Sequence, residues 1–156
     1  MTSNGRSEAR EIEACCYRYL VGLFHPEGLR CPRCRNQNWR VHRRDREPVL
    51  DFRCQECHCV FNAWTATPLQ RTRRRPSQII VVLRGMRQQT STAQLAREMS
   101  LPRPQVHCLR QKLHRWLHST EQRDRYRDLV IPDLLPSDLR PEEPRPAVGV
   151  ATVVRL

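Results

Sequence analysis

Lysine is almost missing from this chain. Lys112 is the only one, although Lys and Arg together number 28 among 156 residues. The positive charge is therefore arginine, a bias that a GC-rich genome produces as readily as function does. Long apolar runs are missing too. The longest, Ile79–Leu83, has five residues, too few to span a membrane. The first thirty residues lack the charged-then-apolar order of a secretory signal. The length leaves room for one modest domain or two small ones, not for a large enzyme core. No Ser/His/Asp or Cys/His nucleophile pairing stands out, because the best-placed cysteines are claimed by another chemistry. With eight cysteines and no export signal, a reducing, cytoplasmic compartment is expected, where thiolates hold metal rather than form disulfides.

Charge of one sign is concentrated in one place. The formal net charge is +12. Residues 30–118 carry 19 basic and 5 acidic side chains, whereas residues 1–29 and 119–156 are each one negative charge from neutrality. A basic centre between neutral flanks implies a polyanionic partner, with double-stranded nucleic acid favoured over a merely solubilising surface.

Within that centre stand Cys31-Pro32-Arg33-Cys34 and Cys54-Gln55-Glu56-Cys57, nineteen residues apart. Two Cys-x2-Cys pairs at this spacing predict one tetrahedral zinc bound by Cys31, Cys34, Cys54 and Cys57. Four sulfurs close the coordination shell, so the zinc is expected to hold the fold and perform no chemistry. Cys59 is the alternative to Cys57 as fourth ligand, through a poorer Cys-x-Cys knuckle. Cys54, Cys57 and His58 also spell the attachment sequence of c-type haem. That reading requires export and leaves Cys31 and Cys34 unexplained. Cys15, Cys16 and Cys108 are expected as small buried hydrophobes. His114 and His118, one helical turn apart, lack a third ligand and are read as surface histidines.

The expected fold is a small α+β chain: a lead-in helix, a zinc-ribbon hairpin module, a three-helix helix-turn-helix domain and a proline-rich tail. Residues 1–29 hold the tail and a helix from Ser7 to about Leu23, with Ile12, Cys15, Cys16, Tyr19 and Leu23 at helical spacing. Residues 30–65 form the ribbon. Trp39 and Val41, then Leu50 and Phe52, alternate around a charged turn, and Val60-Phe61 supplies a third strand. This ribbon is expected to have little core of its own and to depend on metal, whose binding contributes roughly 10–16 kcal/mol in such modules. Residues 66–76 form a basic linker whose Arg71, Arg73, Arg74 and Arg75 suit phosphates. Residues 77–118 form three helices, the first capped by Ser77, the second opened by a Ser91/Gln94 capping box, the third burying Val106, Leu109, Leu113 and Leu117. The outer face of that third helix offers Arg103, Gln105, His107, Arg110, Gln111 and His114, side chains suited to base edges in the major groove. Residues 119–156 are expected to hold a polar helix to Val130 and a disordered proline-rich tail.

In this order the elements resemble the N-terminal part of the zinc-ribbon transposases of bacterial insertion sequences. The likeness covers roughly two thirds of the chain, from about Arg10 to Leu117. It runs through the acidic lead-in Glu11–Leu20, His25-Pro26-Glu27-Gly28, both cysteine pairs, Phe52-Arg53, Val60-Phe61, Thr65–Thr67 and Thr92–Met99. The resemblance implies binding to the terminal inverted repeats of a mobile element, in a bacterial cytoplasm and close to the nucleoid. Family members continue into a ribonuclease-H-like domain whose three acidic residues hold two metal ions. Here only 39 residues follow Leu117, and six of their seven acids (Asp124, Asp128, Asp133, Asp138, Glu142, Glu143) crowd into twenty positions. No catalytic residue is carried over, and no enzymatic activity is expected of this chain alone. Pro102, Pro104 and His107, where the family favours a large aromatic, are further departures. Protein partners implied are a second copy or a transposase chain carrying the nuclease half. The competing readings are that split transposase and a zinc-ribbon module that docks on protein or RNA.

Overall fold

Helix α1 spans Ser3–Phe24, four residues earlier at its start than its apolar spacing predicts. Its buried stripe is Cys16, Leu20 and Leu23, at offsets of four and three. Tyr19, expected on that stripe, lies beside it and only half-buried. The helix stops where His25 closes a last turn on the Val21 carbonyl and Gly28 takes φ 90°, a backbone state that glycine adopts without steric cost. The computed structural model describes residues 3–119. The expected polar helix to Val130 and the proline-rich tail lie outside the described residues.

Three short strands follow: β1 (Trp39–Arg43), β2 (Asp51–Cys54) and β3 (Val60–Asn62). They form one antiparallel sheet in the order β1-β2-β3. Phe52 pairs with Val41 on one side and Phe61 on the other. The β1–β2 ladder slips between Val41 and Arg43, making His42 the extra residue of a bulge. Trp39 lies against Phe52 with ring centroids 4.5 Å apart and donates its indole N–H to the Leu29 carbonyl at 3.1 Å. Leu50, expected as a strand residue, precedes β2 but is buried.

The strands by themselves bring little core, as expected, and α1 completes it. Trp64, 2% exposed, meets Tyr17 edge-on at 5.4 Å and Phe24 at 6.3 Å, so α1 supplies apolar surface that the strands do not. His25 Nε2 reaches the Ala63 carbonyl at 2.7 Å. Asn62 organises the turn beyond β3. Its side-chain oxygen accepts from the Trp64 amide at 3.0 Å, while its Nδ2 donates to Asp51 at 3.0 Å. Thr67 then accepts from the Leu69 amide at 3.1 Å, with Leu69 fully buried. The stretch 66–76, read as linker, thus divides: its first part is folded turns within a unit reaching Thr72, and a second unit begins at Arg73.

In the second unit, α2 (Pro76–Arg87), α3 (Thr92–Glu98) and α4 (Arg103–Leu117) pack on one another. The N-cap of α2 is Arg75, not Ser77. Pro76 occupies the first helical position, where its missing N–H costs nothing. Ser91 caps α3 as expected, accepting from the Gln94 amide at 3.2 Å. Both α2 and α3 end in a Schellman arrangement. The amide of Thr90 returns to Gly85 at 2.8 Å and that of Leu101 to Ala96 at 3.0 Å. The left-handed positions are filled by Gln89 (φ 56°) and Ser100 (φ 51°) rather than glycine. Val106, Leu109, Leu113 and Leu117 are all buried, as are Ile79, Ile80, Val82 and Leu83. Small α+β is the class observed: four helices and one three-stranded antiparallel sheet among the described residues. Among the described residues no helix is long and apolar enough to cross a membrane.

Helix α2 comes close to α3 at Gly85, where a built Cβ would stand 2.5 Å from a methyl of Leu95. Leu95 is 1% exposed and has nowhere to retreat. Gly85→Val is expected to lower unfolding free energy by about 1–3 kcal/mol through overpacking. Ser100→Gly is expected to raise it by about 0.5–1 kcal/mol, the relief of a left-handed backbone less the entropy glycine adds to the unfolded chain. Denaturant titration of both variants checks the two signs.

Candidate metal centre and the outer face of α4

Each cysteine pair sits in a tight loop built the same way. The Cys31 amide donates to the Asn36 carbonyl at 2.9 Å, and the Cys54 amide to the Cys59 carbonyl at 3.0 Å. In both loops the residue after the second cysteine is left-handed: Arg35 at φ 62° and His58 at φ 57°. Arg35 was not singled out from sequence, and His58 only as part of the haem-attachment spelling. The only signal was their place directly after a Cys-x2-Cys, where the chain must reverse. The β1–β2–β3 sheet holds the second loop against the first, with the Gln55 amide donating to the Asn38 carbonyl at 2.9 Å.

The loops bring Cys31, Cys34, Cys54 and Cys57 together, with all four sulfurs within 4.8 Å of one another. Two cross-loop pairs, Cys31–Cys57 and Cys34–Cys54, stand at 3.4 Å. Four sulfurs at about 2.3 Å from a tetrahedral ion are separated by about 3.8 Å, so the donor set fits one metal ion. Cys59 is outside the cluster, with its sulfur 3.8 Å from the Val60 carbonyl; Cys57 is the fourth member. Cys31 and Cys54 are buried while Cys34 is exposed.

Electrostatics point to the same cation. Burial acts to raise the Cys31 thiol, but the amides of Cys34 and Arg33 and the neighbouring sulfurs outweigh it and hold it near about 6. The Asn36 amide acts to lower Cys34, yet burial and the other three sulfurs lift it to about 12. One sulfur takes charge at its neighbours' expense, and a divalent ion removes that conflict by allowing all four to ionise. Burial, then the charges of Cys31 and Cys57, also raise Cys59. Of the remaining cysteines, Cys16 is buried and its thiol is pushed by desolvation to about 12. Cys15 is half-buried and accepts from Arg18 at 3.1 Å. Cys108, expected to be buried, is exposed on α4, because the 106/109/113/117 stripe turns it outward.

The arginines expected to meet phosphate fall in both units. Arg71 is exposed, in a left-handed turn. Arg73 and Arg75 are exposed ahead of α2. Arg74 is half-buried and donates to the side chain of Gln105. On α4, His107, Arg110, Gln111 and His114 line one shallow groove with Thr92 and Arg115. Arg103 lies apart, in a hollow with Ala93, Ala96 and Arg97. Arg110 is half-buried and reaches the Thr90 carbonyl at 2.6 Å and Thr92 Oγ1 at 3.5 Å. Gln105 and Arg110 are thus engaged within the protein, whereas Arg103, His107 and Gln111 are exposed and have no side-chain partner among the described residues.

Cys31→Ser is expected to abolish metal retention and Cys59→Ser to leave it intact, read by elemental analysis of the purified protein. Acidification releases the ion because its ligands must stay deprotonated, so metal content falls with pH. The double change Arg35→Gly with His58→Gly relieves two left-handed backbones and is expected to stabilise the protein by about 1–2 kcal/mol.

The chain matches no protein-family model, no curated protein and no solved structure.

Proposed function

We propose that this chain is a zinc-dependent protein that binds double-stranded DNA, the counterpart of the end-binding part of an insertion-sequence transposase without its nuclease domain. The observation that carries the reading is α4. It buries Val106, Leu109, Leu113 and Leu117 and turns Arg103, His107, Gln111 and His114 to solvent. Only four residues, Met99–Pro102, separate it from α3, the spacing of a helix-turn-helix whose second helix enters the major groove. Arginine and glutamine match guanine and adenine edges there. The charge excess of residues 30–118 supplies the sequence-independent attraction.

In this reading Cys31, Cys34, Cys54 and Cys57 hold one zinc, since four soft thiolates in tetrahedral array select it. The ion has no open position, so it fixes the ribbon and takes no part in chemistry. Arg71, Arg73 and Arg75 meet phosphates. Arg110 serves the protein rather than the duplex, anchoring the turn between α2 and α3. The natural target is the inverted-repeat end of a mobile element, inside a bacterial cytoplasm. Occupying such ends without cutting them represses transposition, or delivers the ends to a separate chain that carries the nuclease half.

Binding to duplexes selected from a random pool tests the proposal. With ~6 phosphate contacts, affinity falls roughly a thousandfold between 50 and 200 mM salt. Arg103→Ala and Gln111→Ala each cost about 1–3 kcal/mol at one base position and leave the fold intact. Arg110→Ala instead lowers stability by about 1–3 kcal/mol, because the Thr90 carbonyl loses its donor. Affinity that is indifferent to salt, or binding to RNA or protein with none to any duplex, rejects the reading.

A further inference from the structure

One side-chain cluster outside the sulfur centre has metal-binding geometry of its own. His114 and His118 occupy successive turns at the end of α4, and both are exposed. Their Nε2 atoms face each other at 2.9 Å, with ring centroids 4.0 Å apart. Two imidazole nitrogens bound to one ion at about 2.0–2.1 Å stand about 2.9 Å apart when the angle at the metal is a right angle. A tetrahedral angle would require about 3.3 Å at the same bond length. The observed spacing is that of a hydrogen bond between the two rings, and it is also compatible with two adjacent positions on a square or octahedral ion.

We infer that His114 and His118 form a second metal site, taking one divalent ion of the Ni2+ or Cu2+ class through both Nε2 atoms, with water in the remaining positions. Such ions accept imidazole in right-angled arrays, whereas the four-sulfur cluster suits a tetrahedral ion. The two sites thus differ in donor type and in geometry, so each can fill while the other is occupied. Nearby positive charge opposes the ion only weakly. Arg110 points to the Thr90 carbonyl, and Arg115 is exposed, where salt screens it. Chelation joins positions four apart, bracing the last turn of α4, where a helix's final carbonyls lack intrahelical N–H donors. The inference stands whether or not the chain binds DNA.

The test uses the full chain with its sulfur-bound metal in place and Ni2+ as probe, because nickel is not reduced by the free thiols of Cys15, Cys59 and Cys108. Equilibrium dialysis with elemental analysis counts nickel and the resident ion together. One nickel per chain is expected with no loss of the resident ion. That equivalent is lost in His114→Gln and in His118→Gln and kept in His42→Gln, a change at an exposed histidine on β1. Both α4 side chains are exposed, so neither substitution disturbs folding, which circular dichroism verifies. The inference is overturned by no nickel uptake, in which case the pair is only a hydrogen bond. It is equally overturned by uptake that survives both substitutions, or by nickel entering only as the resident ion leaves.

Discussion

Four sulfurs drawn within 4.8 Å of one another cannot all carry charge without a cation between them, and the first unit is arranged around that constraint. Two loops with the same backbone hydrogen bond and the same left-handed residue deliver two sulfurs each. The sheet exists to hold the loops in register. β1 leaves the first loop, and β2 ends in Cys54 at the start of the second. Three strands of five, four and three residues are too short to be stable in isolation. The aromatic packing of Trp39, Phe52 and Phe61, and a metal held by the four cysteines when one is bound, supply what the ladders lack.

Helix α1 answers the second deficit. A hairpin of this size cannot enclose a tryptophan, yet Trp64 is buried between the rings of Tyr17 and Phe24. The ribbon therefore has two anchors of different physical kind, a cysteine cluster positioned to hold an ion and an apolar helix. The second unit is held by apolar packing together with polar contacts. There the close approach at Gly85, the Arg84–Glu98 ion pair and the Arg110 bond to Thr90 fix α2, α3 and α4.

The division of labour along α4 follows from the same economy. Its buried stripe leaves ten or so side chains outside, and those nearest the α2–α3 turn are recruited to hold it. Arg110 is the clear case. A side chain whose chemistry suits guanine also suits an orphaned carbonyl at a helix end, and the carbonyl is always present. Arg103, His107 and Gln111, without such an acceptor within reach, stay available to a partner.

Local pattern alone was enough for the cysteine quartet, the three strands, the Ser91 cap and the 106/109/113/117 stripe. Metal-ligand spacing, period-two alternation and helical periodicity are properties of nearby residues, so they survive without knowledge of the fold. The sequence likewise determined the placement of charge and the brevity of every apolar run. Tertiary structure removed the Cys59 alternative to Cys57, and it alone decided that Trp64 and Leu69 complete the ribbon's core and that Arg110 turns inward. It also decided that the imidazoles of His114 and His118 meet through their Nε2 atoms. Each of these depends on which groups distant in sequence come within a few ångströms, and on the direction in which a long side chain finds an acceptor. Periodicity carries neither distance nor direction, which is why those outcomes had to wait for the fold.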